Sequence, residues 1–71
     1  MSRAELRDMI KKEWKTSYWM EINGFTFFME DYNISTTSAH IAIYDKITNK
    51  LVTMTTFEKI NSLIIDYEVI L

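Results

Sequence analysis

His40 is the only histidine among the 71 residues, and cysteine is absent. A serine nucleophile needs an imidazole as base and an acid to orient it. Ser38 lies two positions before His40 and would share its face on a strand, but no acid is placed to orient the ring. His40 therefore reads as a half-exposed strand residue. Without thiolates, a metal site would need carboxylates gathered around that one imidazole. Glu30-Asp31 is the one adjacent acidic pair. It could hold a hard cation weakly, but it reads as a solvated strand exit. Gly24 is the only glycine, so no glycine-rich phosphate loop can form. The expectation is a protein with no catalytic set, no cofactor and no metal site.

Binding chemistry is better represented. Arg3, Arg7, Lys11 and Lys15 recur at four-residue steps, with Lys12 beside them and Trp14 between. On a helix this spacing makes a basic stripe along one flank. Its plain reading is a solvated edge whose aliphatic stems cover apolar surface. Its sharper reading is a stripe that follows nucleic-acid phosphates, with Trp14 stacking on a base. Glu5, Asp8 and Glu13 on the same segment weaken a third reading, a membrane-surface helix.

A second feature lies in YWMEINGFTFFME, residues 18–30. Asn23-Gly24 between two apolar runs signals a two-residue hairpin. The register it imposes pairs Ile22 with Phe25, Met20 with Phe27 and Tyr18 with Met29, all on one apolar face. The opposite face then pairs Glu21 with Thr26 and Trp19 with Phe28. An aromatic pair on the second face has three explanations. A helix covers each side of the sheet, the pair is the seam of a homodimer, or it is a docking patch for another protein. Trp19, Phe28 and Trp14 are the candidate partner-binding residues, because aromatic and arginine side chains dominate binding hot spots.

Length and composition set the frame. A chain of 71 residues is one domain. Domains of this size are marginal alone and commonly add disulfides, a metal or a partner subunit. With the first excluded and the second disfavoured, a homo-oligomer is expected. The net charge of −2 is unevenly spread, with +2 on residues 1–16 and −4 on the remainder. A nucleic-acid binder is usually basic overall. The charged amino terminus has no apolar core of a signal peptide, and no run approaches a membrane span, so a cytoplasmic protein is expected. Asn33-Ile34-Ser35 fits a glycosylation sequon but has no secretory route to give it meaning. Ile, Lys, Asn, Tyr and Phe supply 28 of the 71 residues, a bias that resembles the short proteins of AT-rich bacteria and their phages.

The elements that must position these residues follow from pattern. Ser2-Arg3-Ala4-Glu5 is a capping box, and Leu6, Met9, Ile10 and Trp14 recur at helical spacing, which predicts a helix over 3–16. The first hairpin uses strands near 17–22 and 25–30. Residues 31–38 read as a connection with a strand irregularity near Ile34. A second hairpin over 39–56 turns at Asp45–Lys50, pairing Tyr44 with Leu51, Ile43 with Val52 and Ile41 with Met54. Asp45 can accept from the turn amides there, and Asn49 tolerates a left-handed backbone. Thr55-Thr56-Phe57-Glu58 reads as another capping box. Phe57, Ile60, Leu63, Ile64 and Tyr67 then predict a second helix, with a short strand over 67–71 as the alternative ending.

The fold class expected is α+β: a four-stranded antiparallel sheet of two hairpins flanked by an N-terminal and a C-terminal helix, in the order α-β-β-β-β-α. The function expected is a small protein–protein interaction or regulatory module of the kind phages and mobile elements encode. The alternative is a nucleic-acid-binding regulator using Arg3, Arg7, Lys11, Lys12 and Lys15. No small-molecule substrate is indicated.

Overall fold

The computed structural model describes residues 1–71. Helix α1 spans Arg3–Trp14, and seven strands follow: β1 (Trp19–Ile22), β2 (Phe25–Phe28), β3 (Tyr32–Thr36), β4 (His40–Asp45), β5 (Leu51–Thr56), β6 (Leu63–Ile65) and β7 (Glu68–Val69). A single 3-10 turn, Phe57–Lys59, separates β5 from β6. The strands form two antiparallel sheets, one ordered β2-β1-β6-β7 and the other β3-β4-β5. The protein is thus α+β with an N-terminal helix, as its sequence predicts.

Local chemistry explains the elements that agree. The Ser2 hydroxyl accepts from the Glu5 amide at 3.1 Å and caps α1. Leu6, Ile10 and Trp14 carry its buried stripe. Asn23 and Gly24 have φ of 49° and 85°, the left-handed pair that a tight hairpin needs. The β1–β2 register is the expected one: Ile22 with Phe25, Glu21 with Thr26, Met20 with Phe27 and Trp19 with Phe28. In the β4–β5 turn, the Asp45 carboxylate accepts from the Ile47 and Thr48 amides, each at 2.9 Å, and Asn49 has φ 60°.

Those amides, Thr48 first and then Ile47, hold the Asp45 carboxyl below its ordinary value of 3.8. A carboxylate depressed in the folded state stabilises the fold at pH values above its unfolded value. That contribution disappears as pH falls through the lowered folded value. An NMR titration of the Asp45 side-chain carbonyl should give a midpoint below 3.8. Asp45→Asn should remove this component of the acid sensitivity. A midpoint at or above the ordinary value would show that the turn bonds do not persist in solution.

Three expectations are corrected. The C-terminal helix over residues 57–67 does not form, and the single four-stranded sheet of two hairpins is replaced by two sheets. Thr56 makes no side-chain cap, so nothing stops the chain from leaving the turn after Lys59. Leu63 and Ile65 are buried while Ile64 is only half-buried. That is strand alternation, and β6 docks on β1 with Met20 opposite Ile65 and Ile22 opposite Leu63. The alternative of a terminal strand is met by β7, reached through Asp66 and Tyr67 at φ 46° and 71°.

The second correction is residues 31–38. Tyr32, Ile34 and Thr36 alternate with exposed Asn33 and Ser35 and form β3, which pairs with β4. The third is the register of the second hairpin. Tyr44 faces Leu51 as expected, but a bulge follows and places Thr53 opposite Ile43, Met54 opposite Ala42 and Thr55 opposite Ile41. One extra residue in β5 turns Met54 to the outer face. It is exposed, whereas Ile41 and Ile43 are buried.

The core lies between the inner faces of the two sheets and α1. It contains Leu6, Ile10, Trp14, Met20, Ile22, Phe27, Met29, Ile41, Ile43, Phe57, Ile60, Leu63 and Ile65. Tyr18, Phe25, Val52 and Met54, expected on the helix-covered face, are exposed. No helix is long and apolar enough to cross a membrane.

Candidate functional site

Trp19 and Phe28 remain paired on the outer face of the four-stranded sheet, opposite the face that α1 and the second sheet cover. No helix lies over them. The Tyr67 ring meets the Trp19 ring edge-on with centroids 5.1 Å apart. Ile64 faces Glu21 across β1–β6, and Val69 faces Ile64 across β6–β7. The outer face therefore runs Phe28, Trp19, Tyr67, Ile64 and Val69, with Glu21 as its one charged member. Phe28 is 50% exposed and Tyr67 87%.

Asp66 ties this surface to β1. Its carboxylate accepts from the Tyr18 amide at 3.0 Å and the Trp19 amide at 3.1 Å. Its own amide donates to the Trp19 carbonyl at 3.2 Å. The turn that carries Tyr67 is thereby tied to the strand that carries Trp19. Sequence reasoning found Trp19 and Phe28 but missed Tyr67, Ile64 and Val69, which enter this face only once residues 63–69 are read as two strands.

The basic stripe divides into two halves. Arg3 bonds Glu58 at 2.8 Å and Arg7 bonds Asp8 at 3.1 Å. Lys11, Lys12 and Lys15 have no carboxylate within salt-bridge distance. Lys11 and Lys15 flank a cleft of about 350 Å³ between α1 and β3, completed by Trp14, Asn33, Ile34 and Thr36. No acidic side chain lines it. Trp14 is buried, donates from Nε1 to the Tyr32 carbonyl at 3.2 Å and packs on Phe27 with ring centroids 6.4 Å apart. Its ring is a wall of the core, and a flat stack on a base is closed to it. Asn33 and Thr36 were missed because their segment reads as a connection rather than a strand.

The remaining chemistry-bearing residues stay apart. His40 is exposed at the start of β4, and its amide donates to the Thr37 hydroxyl oxygen at 3.0 Å. Ser38 sits in the exposed turn before it. Glu30 and Asp31 are exposed at the corner between β2 and β3. No group of three or more His, Cys, Asp and Glu side chains converges on a common point.

No protein-family model, curated protein or solved structure matches the chain.

Proposed function

We propose that the protein is a non-catalytic binding module, of the regulatory kind that phages and mobile elements encode, and that it engages a partner protein through the outer face of β1, β2, β6 and β7. The observation that supports this reading most is the Phe28–Trp19–Tyr67 surface, on which Phe28 and Tyr67 are exposed and Trp19 is half-buried. Small soluble domains rarely leave contiguous aromatic surface in water without a use, and tryptophan and tyrosine are the side chains that concentrate binding energy. Glu21 sits inside the patch, so the partner presents an apolar centre with a cation beside it. The test is in-cell crosslinking to identify the partner, followed by its affinity for purified native and variant protein. Trp19→Ser should weaken binding by at least about 30-fold, the scale of a hot-spot loss of about 2 kcal/mol. Unchanged affinity of a folded Trp19→Ser variant would remove this reading.

A second reading rests on the cleft beside Lys11 and Lys15. Its free cations, with amide and hydroxyl donors and no acid, suit a phosphate backbone. It predicts affinity for single-stranded RNA or DNA that falls steeply with salt and is lost in Lys11→Glu with Lys15→Glu. Those two substitutions should leave binding at the aromatic face intact, so the same affinity series separates the two readings.

A further inference from the structure

We propose that β5 is a self-association edge: two copies of the chain pair their β5 strands antiparallel about a two-fold axis, joining two three-stranded sheets into one of six strands. This inference is independent of the aromatic face, which lies on the other sheet.

The argument begins with the four strand edges that the two sheets leave. An unpaired edge presents backbone donors and acceptors that invite another strand. The β7 edge is two residues long and contains Glu68. The β3 edge lies beside the Lys11–Lys15 flank of α1 and follows Glu30-Asp31. The β2 edge is four residues long, and its Phe25 and Phe27 line one side of a groove whose other side is Val52 and Thr53 of β5. The β5 edge is the longest of the four, with six residues, LVTMTT, and none is charged. Leu51, Val52 and Met54 are 55%, 49% and 60% exposed. None of the usual devices that blunt an edge, a charge or a proline, is present on it. The one irregularity, the bulge next to Tyr44, lies at its beginning.

The occupant follows from the same residues. A two-fold axis sets each residue against the one equally far along on the other side of the axis, and a strand without charges presents its copy with no like-charge pair. A two-fold axis normal to the sheet keeps both inner faces on one side only if each residue meets one of the same parity. From Thr53 onward β5 is regular, with Thr53 and Thr55 inward and Met54 outward. An axis at Met54 satisfies the parity rule. It sets Met54 against Met54 of the second copy and Thr53 against Thr55. Threonine pairs of this kind are favourable neighbours across strands. Six strands is also a common sheet size, whereas three is a small one.

The seam is narrow, so the dissociation constant should be on the order of micromolar to tens of micromolar. Sedimentation equilibrium across that range should give twice the 8.5 kDa chain mass. Met54→Lys should shift the equilibrium to monomer by at least about tenfold in dissociation constant, while Trp19→Ser leaves it unchanged. Because the chain has no cysteine, Met54→Cys provides an independent readout that does not depend on the lysine variant folding. It should form a disulfide-linked dimer under mild oxidation, and Ile47→Cys at the exposed hairpin tip should not. A native protein that stays monomeric up to about 1 mM overturns the proposal. So does a dimer that survives Met54→Lys but dissociates in Trp19→Ser, and so does equal crosslinking at positions 54 and 47.

Discussion

Phe57→Ala should remove about 3–5 kcal/mol of folding stability, the range for deleting a buried aromatic ring. Phe57 is 2% exposed and is the anchor of the 3-10 turn between β5 and β6. On that side it packs with Leu6 and Ile60, and its amide donates to the Ala39 carbonyl at 2.9 Å. A chain of this length has a total stability of about 4–10 kcal/mol, so the variant will be close to unfolded at room temperature. Urea unfolding followed by circular dichroism measures it. Phe57→Leu should recover roughly half of the loss, because it refills most of the volume. A loss below about 1 kcal/mol for alanine would mean the ring does not occupy the core in solution.

The second large effect belongs to Asn23, which works as a turn residue and as a clamp. Its left-handed backbone starts the β1–β2 turn. Its side-chain oxygen accepts from the Asn61 amide at 2.9 Å and the Ser62 amide at 3.2 Å, while Nδ2 donates to the Lys59 carbonyl at 3.0 Å. Asn23→Ala loses three bonds, each with a net worth of about 1 kcal/mol, and adds about 1 kcal/mol of left-handed strain. The expected total is about 3–4 kcal/mol. Asn23→Gly relieves the strain but not the lost bonds, so it should lose about 2–3 kcal/mol. Asn23→Asp keeps the acceptor and should lose about 1 kcal/mol. The order Ala, Gly, Asp in denaturation midpoints is the signature of the clamp. If glycine restores native stability, the bonds to residues 59–62 contribute nothing.

Asn23 also shows why the C-terminal third is hard to read from sequence. Its role in the hairpin is legible because the turn is local: two adjacent residues impose the whole β1–β2 register. Its grip on residues 59–62 joins positions 36 to 39 residues apart, and no local pattern contains that. Residues 57–67 carry a helical period and a strand period together. Phe57, Ile60, Leu63 and Ile64 fit the first, Leu63 and Ile65 the second. The tie was broken by β1, which offers an edge that a strand satisfies and a helix does not. The same holds for β3. Tyr32, Ile34 and Thr36 do alternate, but their polar neighbours hide the pattern until β4 pairs with them. In the β4–β5 hairpin the turn was legible and the bulge was not, because a single extra residue leaves no mark on composition. Of the two candidate surfaces, the Trp19–Phe28 pair followed from register alone, whereas Tyr67 and the Asn33–Thr36 wall depended on strands that form only in tertiary context.

The order of pairing along the chain also dictates the order of assembly. Residues 32–56 hold a complete meander, β3-β4-β5, whose partners are all sequence neighbours. The other sheet is interrupted, because β1 near the amino end must find β6, with Met20 opposite Ile65. Arg3 likewise meets Glu58 across a separation of 55 residues. Distant pairings form slowly because a long loop must close first. The meander and the β1–β2 hairpin, both local, can therefore close before β6 docks on β1. The Trp19–Tyr67 contact is thus among the last to form, because Tyr67 reaches Trp19 only once β6 has docked on β1.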